Sequence, residues 1–99
     1  MTRQEFEKQK DQLQKRIGIF SEIIIGRLSI ADFAIGCYYN NEKNMWVVYE
    51  NGERGIQYIR LETPSEDEAF DRLFSRIQFH IGIKERNEER DRLKKQEEQ

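Results

Sequence analysis

Almost everything that staples, punctuates or activates a chain is scarce in these 99 residues. The one cysteine, Cys37, excludes a disulfide within the chain. It lies in the apolar run Phe33–Tyr39 and reads as a buried small hydrophobe. The one proline, Pro64, sits in no Pro/Gly/Ser-rich linker, so nothing divides the chain into two domains. The one histidine, His80, has no nucleophile or carboxylate at a local spacing that would make it a general base. One His and one Cys do not make a metal site either. No glycine-rich phosphate loop, nucleophile elbow or nucleotide fingerprint occurs. Apolar clusters such as Ile23–Ile25 are far too short to span a bilayer, and the charged start MTRQEFEKQK lacks a signal-peptide core. The expectation is a cytoplasmic protein with no catalytic residues, no metal, no cofactor and no membrane contact.

What is abundant is charge. Charged residues are 36% of the chain and so are hydrophobic ones, a polar balance that requires one segment to be mostly solvated. The formal charge is −2, unevenly spread. Residues 1–17 are net +2, residues 18–83 net −4, and residues 84–99 neutral. Duplex binding depends on Lys and Arg gathered on one face, so nucleic acid is not an expected partner. An acidic middle suits a basic partner.

Hydrophobic spacing sets the expected elements. Thr2 and Glu5 have capping-box spacing. Phe6, Leu13, Ile17, Phe20, Ile24 and Leu28 then recur as one helix face, which predicts a helix over 2–16 continuing through a kink to about 26. The three isoleucines after Glu22 favour a short strand over 22–25, and the two readings stay open. Strands are expected over Phe33–Asn40, Met45–Glu50 and Ile56–Glu62. Asn51-Gly52 has the composition of a type I′ turn between the last two. Thr63-Pro64-Ser65-Glu66 reads as an N-cap, a first-turn proline and a capping box. The helix it opens carries the stripe Ala69, Phe70, Leu73, Phe74, Ile77 and Ile81. From Lys84 on, only Leu93 is apolar, so a solvated helical extension fraying towards Gln99 is expected. The fold class is α+β: an N-terminal helix or helices, a three-stranded antiparallel meander, and a long C-terminal helix with a charged extension. Residues 1–83 form the single domain and 84–99 the tail.

Candidate binding residues lie on the hairpin and the helix start. Trp46, Tyr49 and Tyr58 suit a sheet core or an interface anchor. Glu50, Glu53 and Arg54 flank the expected turn. Glu66 and Asp67, with Glu68 and Asp71, complement the helix dipole or offer charge to a basic partner.

The order Trp46-Val47-Val48-Tyr49-Glu50, a two-residue turn, then Glu53-Arg54-Gly55 resembles one family of small α+β immunity proteins of bacterial polymorphic toxin systems. Ile35–Tyr39 before it and the acidic run Glu66–Phe70 after it are similar too. The resemblance spans about residues 33–80. It implies a cytoplasmic inhibitor that neutralises a cognate toxin domain by stoichiometric occlusion. The partner-binding residues carried with that reading are Tyr49, Glu50, Glu53, Arg54, Glu66 and Asp67. The alternative is a small homodimeric adaptor, pairing through an exposed sheet face or through the charged helix.

Overall fold

The computed structural model describes residues 1–97. Its first helix, α1 (Arg3–Ile17), is capped by the Thr2 hydroxyl, which accepts the Glu5 N–H at 3.1 Å. Phe6, Leu13 and Ile17 form its buried face. The helix does not continue to residue 26. Gly18 adopts φ 95°, a conformation that L side chains resist, and its N–H closes the helix on the Gln14 carbonyl. Gln14 then fixes the chain reversal. Its carboxamide donates to the carbonyls of Gly18 and Ser21 and accepts the Ile23 N–H at 2.8 Å.

The three isoleucines that follow are a strand, β1 (Ile23–Ile25), which resolves the open reading. It pairs in parallel with β2 (Ile35–Asn40), Ile23 opposite Ile35. The sheet is therefore four-stranded and mixed, in the order β1-β2-β3-β4, and not a three-stranded meander. Strand β2 begins two residues later than expected, because Phe33 has φ 62° and ends the connection. Antiparallel pairing joins β2 to β3 (Met45–Asn51), and β3 to β4 (Gln57–Thr63). In the first hairpin the Asn40 side chain accepts the N–H groups of Glu42 and Lys43.

The second hairpin turns later than its composition suggested. Asn51 is the last residue of β3, and the positive φ values fall on Arg54 and Gly55. The Ile56 N–H donates to the Glu53 carbonyl, closing a tight turn centred on Arg54-Gly55. Asn51 is drawn away from turn duty by burial. Its amide donates to the carbonyls of Ser29 and Ala31, each at 2.8 Å. A bulge opposite Val48 and Tyr49 places Arg60 as an extra residue in β4. That bulge puts Tyr58 and Leu61 on the face of Glu50 and Val48, with Ile59 on the other face opposite Tyr49.

The last helix, α2 (Glu66–Glu97), is capped by Ser65, whose hydroxyl accepts the Glu68 N–H. Thr63, the expected cap, instead ends β4 and accepts the Ser65 N–H. Ala69, Phe70, Leu73, Ile77 and Ile81 are buried, and Phe74 packs at the edge of the same core. The two helices run in the same direction on one sheet face. Met1 meets Asp71 at one end, the tilted rings of Phe6 and Phe70 pack 5.5 Å apart, and Arg16 meets Glu85 at the other. Beyond Glu85, α2 projects as a charged, exposed helix, and the expected fraying at the last two residues lies outside the described residues. No helix among the described residues is long and apolar enough to cross a membrane.

The opposite sheet face is covered by the chain itself. Residues 26–34 cross it to make the β1–β2 connection. The Tyr49 hydroxyl donates to the Arg27 carbonyl at 2.9 Å and accepts the Ser29 N–H at 3.1 Å. Gly36 pairs with Tyr49 across β2 and β3. A Cβ at Gly36 would stand 2.6 Å from both the Ile24 carbonyl and the Tyr49 hydroxyl, so only glycine fits under that ring.

Candidate functional site

The side-chain alternation of β3 puts Trp46, Val48 and Glu50 on the face that meets α2. Trp46 and Val48 join the apolar core there. Glu50 reaches the same layer where the apolar stripe of α2 gives way to Arg76 and His80, one turn apart. A carboxylate carried inward by strand register is thereby met by nitrogen donors carried inward by helix register.

The Glu50 side chain is only 7% exposed, and both its oxygens are hydrogen-bonded. Arg76 grips it with two nitrogens, Nε on Oε1 and Nη2 on Oε2. Arg60 Nη2 lies 3.3 Å and His80 Nε2 2.9 Å from Oε2. Burial alone would push the Glu50 carboxyl up. The hydrogen bonds from His80, Arg76 and Arg60 outweigh it and hold the group at about 2. The same contact raises Arg76. A carboxylate this acidic, with its lone pairs taken, is a poor proton acceptor for a substrate.

Two aromatic rings flank the ion cluster at the surface. The Arg60 guanidinium lies 5.0 Å from the centre of the Tyr58 ring, and that of Arg76 lies 4.7 Å from the Phe79 ring. Tyr58 is 47% and Phe79 49% exposed. His80 stands beside Phe79 and lines two hollows. The smaller, about 100 Å³, reaches Glu50 and Asn51 past Ile17 and Phe33. The larger, about 620 Å³, is an open groove between the Gly18–Ser21 reversal and α2, floored by Ile83 and Lys84. On its rim Ile19 is 92% and Phe20 82% exposed.

The structure separates the six residues expected to bind a partner. Tyr49 is fully buried and holds the crossing segment, and burial pushes its phenol up. Glu50 is internal. Glu53 and Arg54 are exposed at the second hairpin turn, and Glu66 and Asp67 are exposed at the start of α2. Strand β4 lies between those two pairs, about 20 Å of extended chain. No single surface unites all six. Cys37 is buried, and its thiol is pushed by desolvation up to about 12, which rules against a thiolate nucleophile. Among the described residues no group of three His, Cys, Asp or Glu side chains is placed to hold a metal ion.

Sequence reading missed the convergence on Glu50, although two signals pointed to it. Glu50 continues the inward phase of Trp46 and Val48, and a glutamate in that phase needs partners. Arg76 and His80 lie four apart beside the apolar stripe of α2, so both can turn to one neighbour.

Comparison with protein-family models, with curated proteins and with solved structures finds no match to this chain.

Proposed function

We propose that this chain works by binding a protein and not by catalysis, as an immunity protein that neutralises a cognate bacterial toxin domain by stoichiometric occlusion. The observation that carries the reading is the contrast between its ion cluster and its surface. The carboxylate of Glu50, on which Arg60, Arg76 and His80 converge, is closed within the fold. Large apolar side chains meanwhile stand in water along one side of the molecule, with Ile19 and Phe20 beside the groove and Phe79 next to it. Exposed aromatic and aliphatic groups grouped around a concavity are what a protein interface uses as anchors. The Trp46–Gly55 likeness to immunity proteins supplies the kind of partner.

The homodimeric adaptor is the weaker reading. Residues 26–34, anchored through Tyr49 and Asn51, cross the middle of the sheet face it would use, which leaves the β4 edge around Ile59 and the charged helix as its pairing surfaces.

The test is co-expression of this chain with the product of the adjacent gene, followed by affinity capture. Rescue of host growth with recovery of a one-to-one complex is the expected result. A neighbour whose toxicity is unchanged and which is not captured refutes the proposal. Self-association in sedimentation equilibrium at micromolar concentration, without capture, replaces it with the adaptor.

A further inference from the structure

We infer that the strip Tyr58–Arg60–Arg76–Phe79 is a docking surface for an acidic side chain of a partner protein. The inference deepens the protein-binding reading above by naming the chemistry the partner must present.

Charge is the first ground. Around Glu50 the structure gathers Arg60 and Arg76 directly, and Arg72 donates to the Arg60 carbonyl at 3.2 Å. Two guanidinium groups therefore share one carboxylate, with His80 beside them and Arg72 next to Arg60. The cluster is cationic on a chain whose net charge is −2. Glu50 already accepts from four nitrogens, so it cannot satisfy the donors left over. Arg60 and Arg76 stay 35% and 23% exposed, so a further carboxylate can reach their outer N–H groups.

Shape and composition are the second ground. The two arginines each lie over an aromatic ring, and those rings are half exposed on either side of them. The rings and Glu50 hold both guanidinium groups in place before any partner arrives, so less side-chain freedom is lost on binding. Apolar rings around a charged pair also exclude water from it, which strengthens the pairing. The strip continues along α2 into the groove. Arg76, Phe79, His80, Ile83 and Asn87 follow one another at helical spacing on one face. A partner segment with an acidic residue over the arginines would set its apolar neighbour against Ile83 and Phe20.

The probe is a blocked peptide, acetyl-Ala-Leu-Glu-Phe-Glu-Leu-Ala-amide, set against the same peptide with both Glu replaced by Gln. Each is titrated into the full 15N-labelled chain at low salt. The Glu peptide should shift the Arg60 and Arg76 Nε resonances and the Tyr58 and Phe79 amides at millimolar concentration, and the Gln peptide should not. Phe79→Ala and Arg72→Glu, which leave the direct Glu50 contacts in place, should each weaken the Glu peptide by about tenfold. Glu42→Gln, at an exposed position of the first hairpin loop, should change nothing. No shift with the Glu peptide, equal shifts with both peptides, or shifts confined to Gly18–Ser21 overturn the inference. So does tighter binding of a duplex oligonucleotide to the same resonances, which would make phosphate the ligand. The peptide result does not depend on the toxin. Failed capture with a positive titration rejects the immunity reading alone. Successful capture unaffected by Phe79→Ala and Arg72→Glu rejects this surface alone.

Discussion

Replacing Glu50 with Gln keeps the side chain's size and removes only its charge. Arg60 and Arg76 are then left facing a neutral amide inside the fold. The loss can be worked from the carboxyl's acidity. A shift from 4.5 to about 2 corresponds to on the order of 3 kcal/mol of folded-state preference for the ionised form. The side chain is 7% exposed, so solvent does little to screen it. Removing one member of a buried ion pair costs about 3–5 kcal/mol in general, which agrees. The assay is urea unfolding of wild type and Glu50→Gln, followed by circular dichroism from pH 7 down to 2.5. At pH 7 the midpoint of the variant should fall by about 2 M urea, for a slope of about 1.5 kcal/mol/M. The sign with pH follows from the lowered acidity. The carboxylate's contribution is complete above pH 4.5 and drains as pH falls towards 2. The gap between the two proteins should therefore narrow to about 1 kcal/mol at pH 2.5. A midpoint change under about 0.5 M at pH 7, or a gap that does not close on acidification, would refute the assignment of Glu50 as the charge that holds β3 to α2.

Three other outcomes are expected. Gly36→Ala should destabilise the fold by at least about 2 kcal/mol in thermal unfolding, since its Cβ would meet backbone and ring atoms at 2.6 Å. Tyr49→Phe should cost about 1–3 kcal/mol in the same assay by leaving the Ser29 N–H without its acceptor. Hydrogen exchange at Ser29 should quicken in that variant. Cys37 should resist a thiol reagent at pH 8 in the native protein and react only on unfolding, because burial pushes it to about 12. Rapid native labelling would contradict the buried placement.

Where local chemistry decides the structure, it was legible. The Thr2 cap, the α1 face of Phe6, Leu13 and Ile17, the β2 and β3 strands and the α2 stripe all follow from spacing and propensity. What escaped was decided by contacts distant in sequence. Ile23–Ile25 is open between helix by periodicity and strand by propensity, and is a strand because Gly18 breaks the helix and β2 offers an edge. Asn51-Gly52 has turn composition, but the carbonyls of Ser29 and Ala31 claim Asn51 and move the turn to Arg54-Gly55. The cap of α2 moved by two residues because Thr63 was already committed to β4. The candidate site behaved likewise. Glu50 could be placed by its phase with Val48, but its four nitrogen contacts come from β4 and from α2, 10 to 30 residues away.

The charged overhang of α2 changes how this molecule must be weighed. The chain measures 58 × 31 × 17 Å, with a radius of gyration of 15.4 Å. A sphere-like chain of this length would have about 12.6 Å. On a sizing column such a rod travels with heavier globules, so a lone copy will elute as though it were paired. Only a method that reports mass directly, such as light scattering, can count the copies.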